Sequence, residues 1–202
     1  MLKCIIFDLG RVIVPFDFGR GYQQISALNG LTVDEIRARI AQDDLVIRYE
    51  SGQIPSADFV AELGRRLDFN LSVEEFTGMW SAIFEPYTLI PESLPETLRA
   101  NGYRVLLLSN TNDMHFNWIR PRYPILDHFD GYVLSHEVGA LKPSPTIYAA
   151  AIEKSGVAPH ECFFTDDIAA YIEGAKQAGM DGVQFESHDQ IVEALRSRGV
   201  RV

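Results

Sequence analysis

Cysteine, histidine and basic charge are all scarce in this 202-residue chain. The two cysteines, Cys4 and Cys162, stand far apart in apolar runs and neither forms a CxxC. That excludes a disulfide framework, and they read as reduced, buried thiols of a cytoplasmic protein. The five histidines show no i, i+4 pairing and no zinc-like spacing. Long hydrophobic runs are missing, so no segment approaches a membrane span. The first apolar run, Cys4 to Phe7, is interrupted by Asp8 and is too short for a secretory leader. Lys and Arg number 18 against 28 Asp and Glu, a formal net charge of -10. Such a balance argues against a nucleic-acid backbone as the main partner. A phosphorylated small molecule remains open, because one site can be locally positive.

Four short apolar runs, "CIIF", "YRVLLLS", "GYVLS" and "CFFT", read as buried parallel strands, with "GVQF" as a weaker fifth. Amphipathic segments separate the last four. This alternation predicts an α/β fold with a doubly wound, Rossmann-like parallel sheet. From about Asp17 to Glu85 the alternation stops and helix signals take over. Thr32 with Glu35 and Ser72 with Glu75 each fit a capping box. Phe59, Leu63 and Leu67 recur at helical spacing. The expected organisation is an α/β core from residues 1–16 and 86–202, carrying an inserted α-helical cap from residues 17–85. Ser187 with Gln190 predicts a further capping box before a C-terminal helix that ends near Arg196, Arg198 and Gly199.

Ligands of an open parallel sheet bind outside the carboxyl ends of its strands. Asp8 follows the first strand, Ser109-Asn110-Thr111 the second, and Asp166-Asp167 the fourth. Lys142 lies in "ALKPSP" between the third and fourth. Crowded carboxylates repel one another unless a cation sits among them, and hard oxygen ligands suit Mg²⁺. A carboxylate at such a site can attack phosphorus, while a serine hydroxyl and a lysine hold the phosphoryl oxygens. Each residue also has a plainer reading. Asp8 or Ser109 can shape a turn, one of Asp166 and Asp167 can cap the next helix, and Thr111 can cap the helix after the second strand.

With these motifs in order, the sequence resembles the haloacid dehalogenase (HAD) superfamily in its phosphatase branch. "IIFDLGRVIV" resembles the first motif, with Asp8 in the nucleophile position. "VLLLSNTN" resembles the second, with Ser109 as the phosphate-binding hydroxyl and Asn110 beside it. "GALKPSPTIY" resembles the third, with Lys142, and "FFTDDIAAYIEGAKQAGM" the fourth, with Asp166 and Asp167. The helical block falls where the family's C1-type cap falls. "DLGRV" and the cap segment "YESGQIP" resemble a subgroup that includes sugar-phosphate phosphatases. The resemblance implies a Mg²⁺-dependent phosphomonoester hydrolase acting on a small metabolite through an aspartyl-phosphate. It assigns Asp8, Ser109 and Lys142 to catalysis. Ser109, Asn110, Lys142 and the cap residue Arg48 fall to the substrate. Asp8, the Gly10 carbonyl and Asp167 fall to Mg²⁺, with Asp166 either supporting those ligands from behind or serving as an alternative ligand.

Two positions depart from the family pattern. Gly10 replaces the aspartate that protonates the leaving group, and Asp17, on the following turn, is the candidate substitute. Tyr171 stands where the family often supports the metal with Asp or Asn. His115 is a further candidate proton donor, and Tyr49 a further candidate for specificity. Two other readings follow: a metal-independent 2-haloacid dehalogenase, which pairs its aspartate with a cap arginine, and a catalytically impaired phosphate-ligand binding protein.

Overall fold

A computed structural model describes residues 1–202. Strand β1 (Cys4–Phe7) leads into a block of five helices: α1 (Phe18–Asn29), α2 (Val33–Ile40), α3 (Leu45–Glu50), α4 (Ser56–Leu67) and α5 (Val73–Trp80). The chain then runs through α6 (Ser93–Ala100), β2 (Arg104–Ser109), α7 (Asp113–Ile119), β3 (Gly131–Leu134), α8 (Ser135–Val138) and α9 (Pro145–Ser155). It ends with β4 (Cys162–Asp166), α10 (Ala169–Gln177), β5 (Asp181–Gln184) and α11 (His188–Arg196). The strands form one parallel sheet in the order β3-β2-β1-β4-β5. All five apolar runs are therefore strands, including the weak fifth.

The runs are continuously apolar because both sheet faces are covered. Ile5, Phe7, Val105, Leu107 and Phe163 point to one face, which α6 and α11 cover through Leu94, Leu98, Ile191 and Leu195. Cys4, Ile6, Leu106, Leu108 and Phe164 point to the other, against Ile147, Tyr148 and Ala151 of α9 and Ile172 and Ala175 of α10. This is the period-two alternation of a pleated strand serving two cores at once. It also brings together two cysteines that are far apart in the sequence. Register makes Cys4 and Cys162 direct partners on neighbouring strands, both free and fully buried.

The helical block has its own apolar cluster, built on Ile25, Ile36, Phe59, Leu63, Leu67 and Phe76. Both of its capping boxes form. Glu35 returns a carboxylate to the Thr32 amide at 2.8 Å, and Glu75 does the same for Ser72. At α11 only half of the expected box forms: Ser187 accepts from the Gln190 amide, while the Gln190 side chain turns to the Glu186 amide instead. The block leaves and rejoins the core at one seam. Phe16 and Phe84 pair as an antiparallel bridge, flanked by Asp17 N–H to Ile83 O at 3.0 Å and Glu85 N–H to Pro15 O at 2.9 Å. No helix is long and apolar enough to cross a membrane.

Candidate active site

β1 lies in the middle of the sheet, between β2 and β4. Its register, with Phe7 opposite both Leu107 and Thr165, sets Asp8 beside Leu108 and Asp166. The Asp8 amide bonds the Thr165 carbonyl at 2.9 Å, which carries the parallel ladder one residue past the strand. Carboxylate oxygens of Asp8, Asp166 and Asp167 come within 4.8 Å of one another. Lys142, fully enclosed, reaches in from the β3–β4 connection. Its Nζ donates to Asp8 Oδ1 at 2.7 Å, to Asp166 Oδ2 at 2.5 Å and to the Leu108 carbonyl at 3.2 Å. These contacts use all three ammonium protons. The lysine therefore holds the nucleophile candidate in place, and it must exchange one of these bonds to touch a phosphoryl oxygen.

Three clustered acids against one ammonium leave a local excess of negative charge. Burial pushes the Asp8 carboxyl up to about 7, against the pull of Lys142, and the Asp166 charge adds to the rise. Burial and Asp166 also raise Asp167. A divalent cation relieves this crowding, and the donors fit Mg²⁺: carboxylate oxygens, plus the Gly10 carbonyl, which accepts no backbone hydrogen bond in its turn. Asp166 is fully buried and spent on Lys142 and on the Ile168 amide (2.8 Å), whereas Asp167 is half-exposed with its carboxylate free. Neither acid is the N-cap of α10, a position held by Ile168.

The second motif divides its labour. Ser109 is buried, its Oγ makes only a 3.5 Å contact with the Asn110 carbonyl, and it borders a cavity. Asn110 is committed elsewhere. Its Oδ1 accepts from the Lys142 amide at 2.7 Å and its Nδ2 donates to the Lys142 carbonyl at 3.2 Å, so it clamps the lysine's backbone. Tyr171 joins the same group: its hydroxyl lies 3.4 Å from Asn110 Nδ2, and the Lys142 ammonium sits 5.1 Å from its ring centre. Its position supports the lysine through a cation–π contact. The cap of α7 is Asn112, which accepts from the His115 amide at 2.9 Å, and not Thr111.

Gly10 is explained by Phe16. A Cβ on residue 10 would lie 2.7 Å from Phe16 Cε1, so the ring occupies the space an aspartate would need. Asp17 does not take over that role. It is exposed, and its carboxylate caps α1 by accepting from the Gly19 amide at 2.7 Å. Arg48 is likewise exposed, on the outer face of the helical block among Asp43, Asp58, Glu62 and Arg66, away from the carboxylate cluster. Arg48, expected to bind substrate, is not among the residues lining the cavity beside Ser109.

Glu50, two residues on, does face the site. A narrow cavity of about 60 Å³ begins at Leu9, Gly10, Ser109 and Asn110 and is closed by Phe16, Phe84, Glu50 and His115. Glu50, His115 and Phe18 also border a chamber of about 380 Å³ inside the helical block, lined by Tyr22, Tyr49, Phe59 and Trp80. Burial alone pushes the Glu50 carboxyl up to about 7. Burial holds His115 down at about 4, so this imidazole is neutral near pH 7 and a poor acid. The segment around Glu50 is pinned to the core. Tyr49 Oη and Ser56 Oγ both donate to Asp113, at 2.6 and 2.5 Å. Ser135 Oγ accepts from the Thr111 amide at 2.9 Å and shares its proton between the Thr111 and Glu50 carbonyls.

Comparison with known proteins agrees with this geometry. A D-ribitol-5-phosphate phosphatase of Bacteroides thetaiotaomicron is 31% identical over 193 residues, 93% of each chain. A phosphatase of Mycobacterium tuberculosis is 28% identical, covering 98% of this chain and 95% of its own. Among solved structures, a HAD family enzyme of B. thetaiotaomicron in complex with magnesium and inorganic phosphate superposes with a TM-score of 0.80 at 26% identity, covering 93% of this chain and 96% of that one. Residues 2–179 match the sequence profile of a hydrolase family, the haloacid dehalogenase-like hydrolases. With its fold, its motif order and that match in agreement, the chain belongs to the haloacid dehalogenase-like hydrolase family.

Proposed function

We propose that this hydrolase is a Mg²⁺-dependent phosphomonoesterase for a small phosphorylated metabolite of the sugar or polyol phosphate class. One observation carries the reading: the buried Asp8 carboxylate, oriented by Lys142 and crowded by two further acids, directly precedes Leu9 and Gly10, which line a cavity together with the weakly engaged Ser109. The 31% identity with a D-ribitol-5-phosphate phosphatase supports the substrate class. Asp8, Asp167 and the Gly10 carbonyl would hold Mg²⁺. The ion would offset the carboxylate charge and that of the phosphoryl group. Asp8 attacks phosphorus to form an aspartyl-phosphate, which water then hydrolyses. The Ser109 hydroxyl binds a phosphoryl oxygen. Asn110 and Tyr171 keep Lys142 in position. The pinned cap excludes bulk water and receives the leaving group in the inner chamber.

The dehalogenase reading loses its support, because the cap presents Glu50 rather than Arg48 to the cavity. The test is turnover of para-nitrophenyl phosphate, with Mg²⁺ and with EDTA, for wild type and Asp8→Asn. Activity that needs both Mg²⁺ and Asp8 is expected, followed by a preference for polyol or sugar phosphates in a substrate screen. Equal rates in EDTA, or a fully active Asp8→Asn, would overturn the proposal. Halide release from 2-chloropropionate would instead support a dehalogenase.

A further inference from the structure

The groups assigned above leave the proton of the leaving-group oxygen without a carrier. Gly10 has no side chain, and the Phe16 ring closes the space above it. Asp17 is exposed and capping a helix. Glu50 is the one acidic residue that lines both the narrow cavity at Ser109 and the chamber in the cap. No ammonium, guanidinium or hydrogen-bond donor is paired with its carboxylate, and burial is the one cause of its raised pKa. The other titratable groups around the two cavities are His115 on α7, Tyr22 on α1, Tyr49 on α3 and Asp43 in the turn before α3. Asp113 and His136 lie behind the pinned segment, and the Asp113 carboxylate is held by Tyr49 and Ser56. None of these is a cation that would ionise Glu50 at neutral pH. Its backbone is fixed to the core through Ser135, and the next turn admits no displacement inward, since a Cβ at Gly52 would lie 2.1 Å from the His136 carbonyl oxygen.

We propose that Glu50 is the acid–base residue of this enzyme, delivered by the cap to the position that Gly10 cannot serve. The inference rests on the phosphatase reading. In the first step an Asp8 oxygen bonds to phosphorus and the bond from phosphorus to the ester oxygen breaks. The Glu50 carboxylic acid gives its proton to that oxygen, releasing a neutral alcohol and leaving a carboxylate. In the second step that carboxylate takes a proton from water as the water oxygen bonds to phosphorus. The bond from phosphorus to Asp8 breaks, inorganic phosphate leaves, and both side chains return to their starting states. A carried proton matters most for alkoxide leaving groups, so the natural substrate is an ester of an aliphatic alcohol.

The test uses para-nitrophenyl phosphate, whose leaving group departs without a proton. Wild type, Glu50→Gln, Glu50→Ala and Asp8→Asn are followed by stopped flow with Mg²⁺. In Glu50→Gln the first step survives and the second does not. The expected trace is a burst of one nitrophenolate per active site, then a steady rate about 10²–10⁴-fold below wild type. Added formate should restore turnover in Glu50→Ala, and the loss of wild-type kcat toward acidic pH should vanish in Glu50→Gln. The burst itself reports folded, Asp8-competent enzyme. A Glu50→Gln enzyme with near-wild-type steady turnover overturns the assignment. So does one that only raises KM, or one that melts like wild type yet shows no burst. If wild type itself has no Asp8-dependent activity, the phosphatase reading falls first and takes this inference with it.

Discussion

Lys142→Met tests whether the lysine is the counter-charge that lets two buried acids sit side by side. In the wild type its ammonium lies between Asp8 and Asp166, with side-chain exposures of 1% for the lysine and 9% and 0% for the acids. Methionine is unbranched and one atom shorter, so it keeps most of the side-chain volume and removes the charge. Breaking a buried ion pair from one side costs about 3–5 kcal/mol, because the remaining charge is left uncompensated. For a protein of this size each kcal/mol moves Tm by about 2–4 °C, so the variant should melt about 6–20 °C below wild type at neutral pH. The loss must depend on pH. Without the ammonium, the folded pKa of Asp8 rises still further above the unfolded value of about 3.9, because the pull of Lys142 against its burial is gone. The native state then binds more protons than the unfolded chain, and stability falls as pH rises. Below about pH 4 both states are protonated and the penalty nearly disappears. Asp8 in the wild type, already pushed up to about 7, gives the same sign with a smaller amplitude.

The assay is urea unfolding of both proteins at pH 5 and pH 8, each in EDTA and in Mg²⁺. The variant should be closer to wild type at pH 5 than at pH 8, and Mg²⁺ should recover part of the difference at pH 8 by binding only the native state. A variant within about 1 kcal/mol of wild type at pH 8 in EDTA would refute the reasoning, given the size of the effect expected from a buried pair. A penalty independent of pH would refute it as well, since packing loss has no proton linkage.

Gly10→Asp restores the family's usual acid on paper, yet it should fail. The new side chain meets the Phe16 ring, so overpacking should cost about 1–3 kcal/mol in urea unfolding, with no gain in turnover. Asp113→Ala removes the acceptor shared by Tyr49 and Ser56, which unpins the segment carrying Glu50. It should destabilise by about 1.5–3 kcal/mol for each charged hydrogen bond lost and lower kcat/KM, and unchanged kinetics would show that the pinning has no role in catalysis.

Strand-end residues were legible because burial on both faces makes a strand an unbroken apolar run, so the polar residue that ends it stands out. Asp8, Ser109 and Asp166 all carry this mark. The roles of their neighbours were less legible, since a side chain's partner is set by how loops meet. Asn110 turned to the Lys142 backbone and Asn112 took the cap expected of Thr111. The cap was harder still, and α3 shows why. Arg48 and Glu50 are two positions apart on a helix, which rotates them by about 200° and sends them to opposite faces. The helix is only six residues long, with Ile47 exposed beside buried Leu45 and Tyr49, so hydrophobicity does not define its inner side. The inner side is defined by Asp113, which takes the Tyr49 hydroxyl and thereby turns Glu50 toward the cavity and Arg48 to solvent. That contact joins residues 64 positions apart in the chain, and which charged side chain of α3 lines the cavity depends on it.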